Sequence, residues 1–193
     1  MKEMIRAEIS KTIDIFSAIH ADDALLDKVA GFAGTIIAAL NTGNKLLIAG
    51  NGGSAADAQH IAGEFVSRFN FDRPGLPAFA LTTDTSVLTA IGNDYGYERL
   101  FSRQVQAVGL KGDVFWAIST SGKSPNVLHA MKEARNKGLY VAGFTGEGGG
   151  AMRDLADVCI EVPSRETPKV QEGHIVLGHI VCGLVESSIF SRE

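Results

Sequence analysis

The chain has 193 residues, 45% hydrophobic and 21% charged, with a formal net charge of −4. That length suits one domain, and that balance can bury a core, which excludes a disordered chain. The acidic balance argues against a nucleic-acid partner, and no apolar run reaches the roughly 18–20 residues that span a bilayer, so no membrane contact is expected.

In chain order, Ile5, Ile9, Ile13 and Phe16 recur at helical spacing, and Leu25, Val29, Phe32, Ile36 and Ile37 do so again. The opening MKEMIRAEIS mixes charges with this pattern and does not read as a secretory signal, so a cytoplasmic protein is expected. Asn41-Thr42-Gly43-Asn44 stops the second helix. Residues 1–42 thus form a helical pair, packed on the rest of the chain or on a neighbouring subunit.

Beyond it, short apolar runs alternate with longer helical segments. The runs are Leu46–Ala49, Ala78–Leu81, Val114–Ile118, Leu139–Phe144 and Val158–Val162. Continuous apolar strands separated by helices predict a parallel sheet covered on both faces. The fold class is therefore a doubly wound α/β domain with a five-stranded parallel sheet, one domain over residues 1–193. The last helix, about Lys169 to Phe190, is apolar on more than one side, which predicts burial and packing against another subunit. Cys159 and Cys182 sit in apolar contexts and read as small buried side chains in a reducing compartment.

Ligands of open α/β sheets bind beyond the carboxyl ends of the strands. After the first run comes Asn51-Gly52-Gly53-Ser54, with Ser54 a good N-cap for the helix that follows. The loop reads either as a cradle for an anionic or hydroxyl-rich ligand or as an ordinary strand-to-helix turn. Its spacing is neither that of a dinucleotide loop nor that of a Walker loop. After the third run, Ser119, Thr120, Ser121 and Ser124 crowd a loop that ends at Pro125, a helix start. So many hydroxyls exceed the needs of a cap and point to a phosphate. Lys123 either adds charge or stands in solvent. Asn93 and Asp94 either reach sugar hydroxyls or, as their spacing favours, make a turn.

His60 and Glu64 share one helix face, and Gln171 and His179 lie within about 80° around the last helix. Two helices could bring these four together as nitrogen and oxygen donors for zinc or a similar ion. His20 and His129 read as surface residues. His174, about 140° from His179, reads as a packing or interface residue, and Glu172 suits the start of its helix.

AGNGGSAADAQHIAGEF, LTTDTSVLTAIGNDYGYE, STSGKS and TPKVQEGHIVLGHIVCGLVE together resemble the phosphoheptose isomerase family of the sugar-isomerase (SIS) domain superfamily, over nearly the whole chain. The resemblance implies a homotetramer with active sites between subunits, residues such as Arg68 crossing from a neighbour. It implies that Asn51, Gly52, Gly53, Ser54, Asn93, Asp94, Ser119, Thr120, Ser121, Ser124, Glu64 and Gln171 meet a phosphorylated heptose. It implies one zinc per subunit on His60, Glu64, Gln171 and His179. Pro168 stands where some relatives carry an acidic residue or alanine. The implied reaction converts sedoheptulose 7-phosphate to D-glycero-D-manno-heptose 7-phosphate through an enediol, with Glu64 as base and His179 as acid. That product opens ADP- or GDP-heptose synthesis for lipopolysaccharide or capsule. A rival resemblance is the DnaA initiator-associating type, a binding protein without isomerase activity, which lacks the second histidine of the last helix.

Overall fold

The computed structural model describes residues 1–190; residues 191–193 of the predicted domain lie outside the described residues. Each apolar run forms a strand: β1 (Leu46–Gly50), β2 (Ala78–Ala80), β3 (Val114–Ile118), β4 (Tyr140–Gly146) and β5 (Val158–Val162). They pair in parallel in the order β2-β1-β3-β4-β5. Val114-Phe115-Trp116-Ala117-Ile118 is buried at every position because both faces of the sheet are covered. Leu139 falls outside β4: its N–H donates to Ala134 O, closing the end of the preceding helix, and the strand runs on to Gly146 instead.

Successive strand residues face opposite sides. Ile48, Trp116, Phe144 and Ile160 meet α2 (Asp23–Asn41), α3 (Gly53–Val66), α7 (Thr167–Ile189) and the end of α1 (Lys2–Ala21). Leu47, Phe115, Ala117 and Val141 meet α4 (Thr85–Tyr95), α5 (Leu100–Val108) and α6 (Pro125–Asn136). The helical pair is unequal. Leu25, Val29, Phe32 and Ile36 of α2 are buried, whereas Ile5, Ile9 and Ile13 of α1 are exposed.

Within the chain the last helix is buried along one side only. Val170, Leu177, Val181 and Val185 are buried, but Val176, Ile180 and Leu184, four residues apart, form an exposed apolar stripe. The helix begins at Thr167, earlier than its apolar pattern, because Pro168 is tolerated in a first turn. Cys159 and Cys182 are free and buried, with burial pushing their thiols up to about 11 and about 12. Among the described residues no helix is long and apolar enough to cross a membrane.

His174 is a core residue, 1% exposed, with its ring 5.9 Å from that of Phe144. The Thr145 main chain lies beside it, yet neither ring nitrogen makes a hydrogen bond of good geometry. Burial lowers its pKa to about 4, below the usual value of about 6.5. A depressed histidine stabilises the fold fully above about pH 6.5 and loses that contribution as pH falls toward 4, because the unfolded chain binds the proton more readily. Between pH 7 and pH 5 the wild type should lose about 2 kcal/mol from this group. Urea unfolding at the two pH values should show a smaller loss in His174→Leu; an equal loss in both proteins would remove His174 as the cause.

Candidate active site

From β1 the chain steps to β2 on one side of the sheet and returns to β3 on the other. This reversal opens a crevice beyond the carboxyl ends of β1 and β3, and the two polar loops lie there. Asn51 follows β1, Ser119 follows β3, and the Asn51 and Asn126 side chains exchange two hydrogen bonds of 2.8 Å. A cavity of about 500 Å³ adjoins the first loop, lined by Asn51, Gly52, Thr82, Leu88, Thr89 and Tyr97 among others.

The first helix start differs from expectation. Gly52 (φ 55°), not Ser54, is the N-cap, and Ser54 lies within the first turn, 3% exposed. Glycine reaches that φ without strain, so the helix begins one residue before the serine. The second loop follows expectation in its geometry. Pro125 opens α6 after the cap residue Ser124, whose hydroxyl makes no cap bond and lies 2.9 Å from the hydroxyl of buried Ser119. Ser121 Oγ accepts the Lys123 N–H at 3.2 Å, and Lys123 is exposed. Thr120 is half-buried, its carbonyl accepting the Gly146 N–H.

Asn93 and Asp94 do not make a turn. Both are exposed in the last turn of α4, where Asn93 Nδ2 donates to Asp94 Oδ1 at 2.8 Å. The stop comes at Gly96, φ 87°. Neither residue lines the cavity, although Gly92 and Tyr97 on either side do.

α3 and α7 lie side by side, with Gly53 beside Gln171 and Ile61 beside Gly178. At the far end of this seam His60, Glu64 and His179 converge, their ligand atoms all within 4.8 Å of one another. His60 Nε2 stands 2.8 Å from His179 Nε2 and 3.3 Å from Glu64 Oε1. Gln171 stands at the near end of the seam, its amide in the space where Gly53 lacks a side chain, about two turns before His179 on α7. Nitrogen and oxygen donors in this spacing suit zinc, whose tetrahedral ligands stand about 3.3 Å apart. The two rings need separate only slightly to accept it.

Asp57, one turn before His60, joins this seam without having been predicted. Its Oδ2 is buried without a partner, and burial raises its pKa while His60 and His179 pull the other way. Its spacing of three from His60 was the available signal. Asn126 and Tyr97 were also missed. Arg68 is exposed just beyond α3, and His20 is exposed at the end of α1. His129 is partly buried, its Nδ1 3.2 Å from Glu98 O. Glu172 does more than suit the helix start: it accepts the Thr12 hydroxyl at 2.7 Å and Lys169 at 3.0 Å, tying α7 to α1.

A parallel sheet with polar loops at its switch point and a donor cluster on the adjoining helices defines an open α/β domain with a polar ligand site at its strand ends. The family model for the SIS domain matches residues 9–146. A phosphoheptose isomerase of Burkholderia pseudomallei (strain 1710b) is 65% identical over 189 residues, 98% of this chain and 96% of that protein. One from Aneurinibacillus thermoaerophilus is 60% identical over 193 residues, 100% of this chain and 98% of that protein. The solved phosphoheptose isomerase of Neisseria gonorrhoeae superposes with a TM-score of 0.90 at 41% identity, covering 96% of this chain and 98% of that one. The chain belongs to the phosphoheptose isomerase family of SIS-domain proteins.

Proposed function

We propose that this chain isomerises sedoheptulose 7-phosphate to D-glycero-D-manno-heptose 7-phosphate. The observation that carries the reading is the donor cluster of His60, Glu64 and His179 on the helices that flank the loop crevice. Ser119, Thr120, Ser121 and Ser124 hold the phosphate with the open N-terminus of α6. Asn51, Gly52, Gly53 and Ser54 hold the sugar from β1, Asn93 and Asp94 reach it from α4, and Gln171 reaches it from beside Gly53.

Glu64 takes the proton from C1 and O2 gains a proton, which gives the enediol. Return of a proton to C2 and loss of the O1 proton leave the aldehyde, with His179 as the acid. His60, Glu64 and His179 would hold one zinc per subunit, a Lewis acid for the sugar oxygens when bound. Gln171 would complete the ligand set from about two turns earlier on α7, beside the sugar.

The exposed apolar residues of α1 and α7 support a homotetramer with sites between subunits. One SIS domain acting in the cytoplasm, at the start of ADP- or GDP-heptose synthesis for lipopolysaccharide or capsule, completes the reading. The DnaA initiator-associating type is not favoured, because both histidines of the cluster are present.

The test is selectivity for the phosphate. Sedoheptulose 7-phosphate should yield an aldose by NMR, inorganic phosphate should compete, and unphosphorylated sedoheptulose at equal concentration should yield none. Equal turnover of both sugars would remove the loops from this role.

A further inference from the structure

The cavity beside the first loop opens onto an amide network outside the acid–base set. Asn51 Nδ2 donates to Asn126 Oδ1 and Asn126 Nδ2 donates to Asn51 Oδ1, both at 2.8 Å. Asn126 Oδ1 also accepts from the Val127 main-chain N–H at 2.9 Å. A main-chain N–H can only donate, so that atom is the oxygen, and the orientation of both amides follows. The Tyr97 hydroxyl then donates to Asn51 Oδ1 at 3.1 Å.

An amide oxygen has two lone pairs and an amide nitrogen two hydrogens. On Asn51 both lone pairs are engaged, by Asn126 and Tyr97, and so is one hydrogen. A single N–H remains. We propose that Asn126 and Tyr97 are positioning residues that hold Asn51 as a one-way donor, its free N–H aimed at an acceptor oxygen of the phosphosugar. Asn126 is 2% exposed and belongs to the first turn of α6, so the same pair fixes the loop after β1 against the loop after β3. A buried amide is expensive to leave unpaired, which locks the arrangement before any ligand arrives. This role rests on the phosphosugar reading of the two loops.

The experiment is a pair of double-mutant cycles on sedoheptulose 7-phosphate turnover, with Asn51→Ala, Asn126→Ala, Tyr97→Phe and the two doubles that include Asn51→Ala. Asn126→Ala should raise KM about tenfold and Tyr97→Phe about threefold, the loss of two and one neutral hydrogen bonds. In both, kcat should stay within about twofold, since the acid–base pair sits on other helices. In the Asn51→Ala background neither change should add more than about twofold, because each acts through Asn51. Effects that multiply independently of Asn51, or that fall on kcat, would overturn the role. Tyr97 is exposed, so its cycle decides the matter even if Asn126→Ala does not fold. A wild type that neither binds nor converts the sugar overturns the phosphosugar reading itself, and the positioning role with it.

Discussion

Glu64→Gln should stay folded and lose turnover by about 10²–10⁴-fold, the range expected for removing a general base. Glu64 lies one turn beyond His60 on α3, its side chain 22% exposed and 3.3 Å from His60 Nε2. Its place does not depend on its charge. Arg73 Nη2 donates to the Glu64 main-chain carbonyl at 2.7 Å, and that bond survives the substitution. Glutamine matches the carboxylate in shape and still offers an oxygen, but it cannot take a proton from carbon. The loss should therefore fall on kcat with little change in KM, and the thermal unfolding midpoint should stay near that of the wild type. Steady-state kinetics alongside circular dichroism decide this. Turnover within about tenfold of wild type would require another base.

The largest stability effect is expected from the buried pair that frames the site. The side chains of Arg73 and Glu186 are 2% and 1% exposed, with Arg73 Nε 3.1 Å from Glu186 Oε1. Glu186 also accepts the Phe69 N–H at 2.8 Å and the Asn70 N–H at 2.7 Å. Arg73 donates to the carbonyls of Glu64, Phe65, Ser67 and Pro74. Burial alone would raise the Glu186 carboxyl, but these N–H groups and the guanidinium hold it below the usual range. Its contribution is therefore present above the unfolded carboxylate pKa and lost as pH falls through the lowered one.

Removing one partner strands the other charge in the core, at a cost of about 3–5 kcal/mol. Glu186→Ala should unfold in urea at correspondingly lower denaturant. It should also weaken the site, because Phe69, held by Glu186, stacks 5.6 Å from His179. A change below about 1 kcal/mol at pH 7 would show that water replaces the pair.

Much of this was legible in the sequence, for identifiable reasons. Strands covered on both faces have no polar side, so Val114–Ile118 reads as a continuous apolar run and folds as one. The hydroxyls from Ser119 to Ser124 and the glycines after Asn51 stand at strand ends, where an open α/β sheet places its ligands. His60 and Glu64 are four apart, and helical geometry alone puts them together.

What was not legible depends on partners distant in the chain. Asn51 and Asn126 are 75 residues apart, and Phe69 and Glu186 are 117 apart. Gln171 and His179 point in similar directions around α7, but their spacing does not show that the Gln171 amide packs beside Gly53. Asn93-Asp94 reads as a turn because both residues favour turns; the helix outlasts them because nothing forces a stop before Gly96.

The most direct measurement follows sedoheptulose 7-phosphate incubated with the purified protein, zinc-loaded and after chelation, with Glu64→Gln and His179→Gln alongside. Zinc-loaded wild type is expected to form the aldose 7-phosphate, and both variants are expected to lose that conversion while remaining folded. A folded wild type that binds the sugar yet converts none of it with any divalent ion would contradict the isomerase and leave a binding protein.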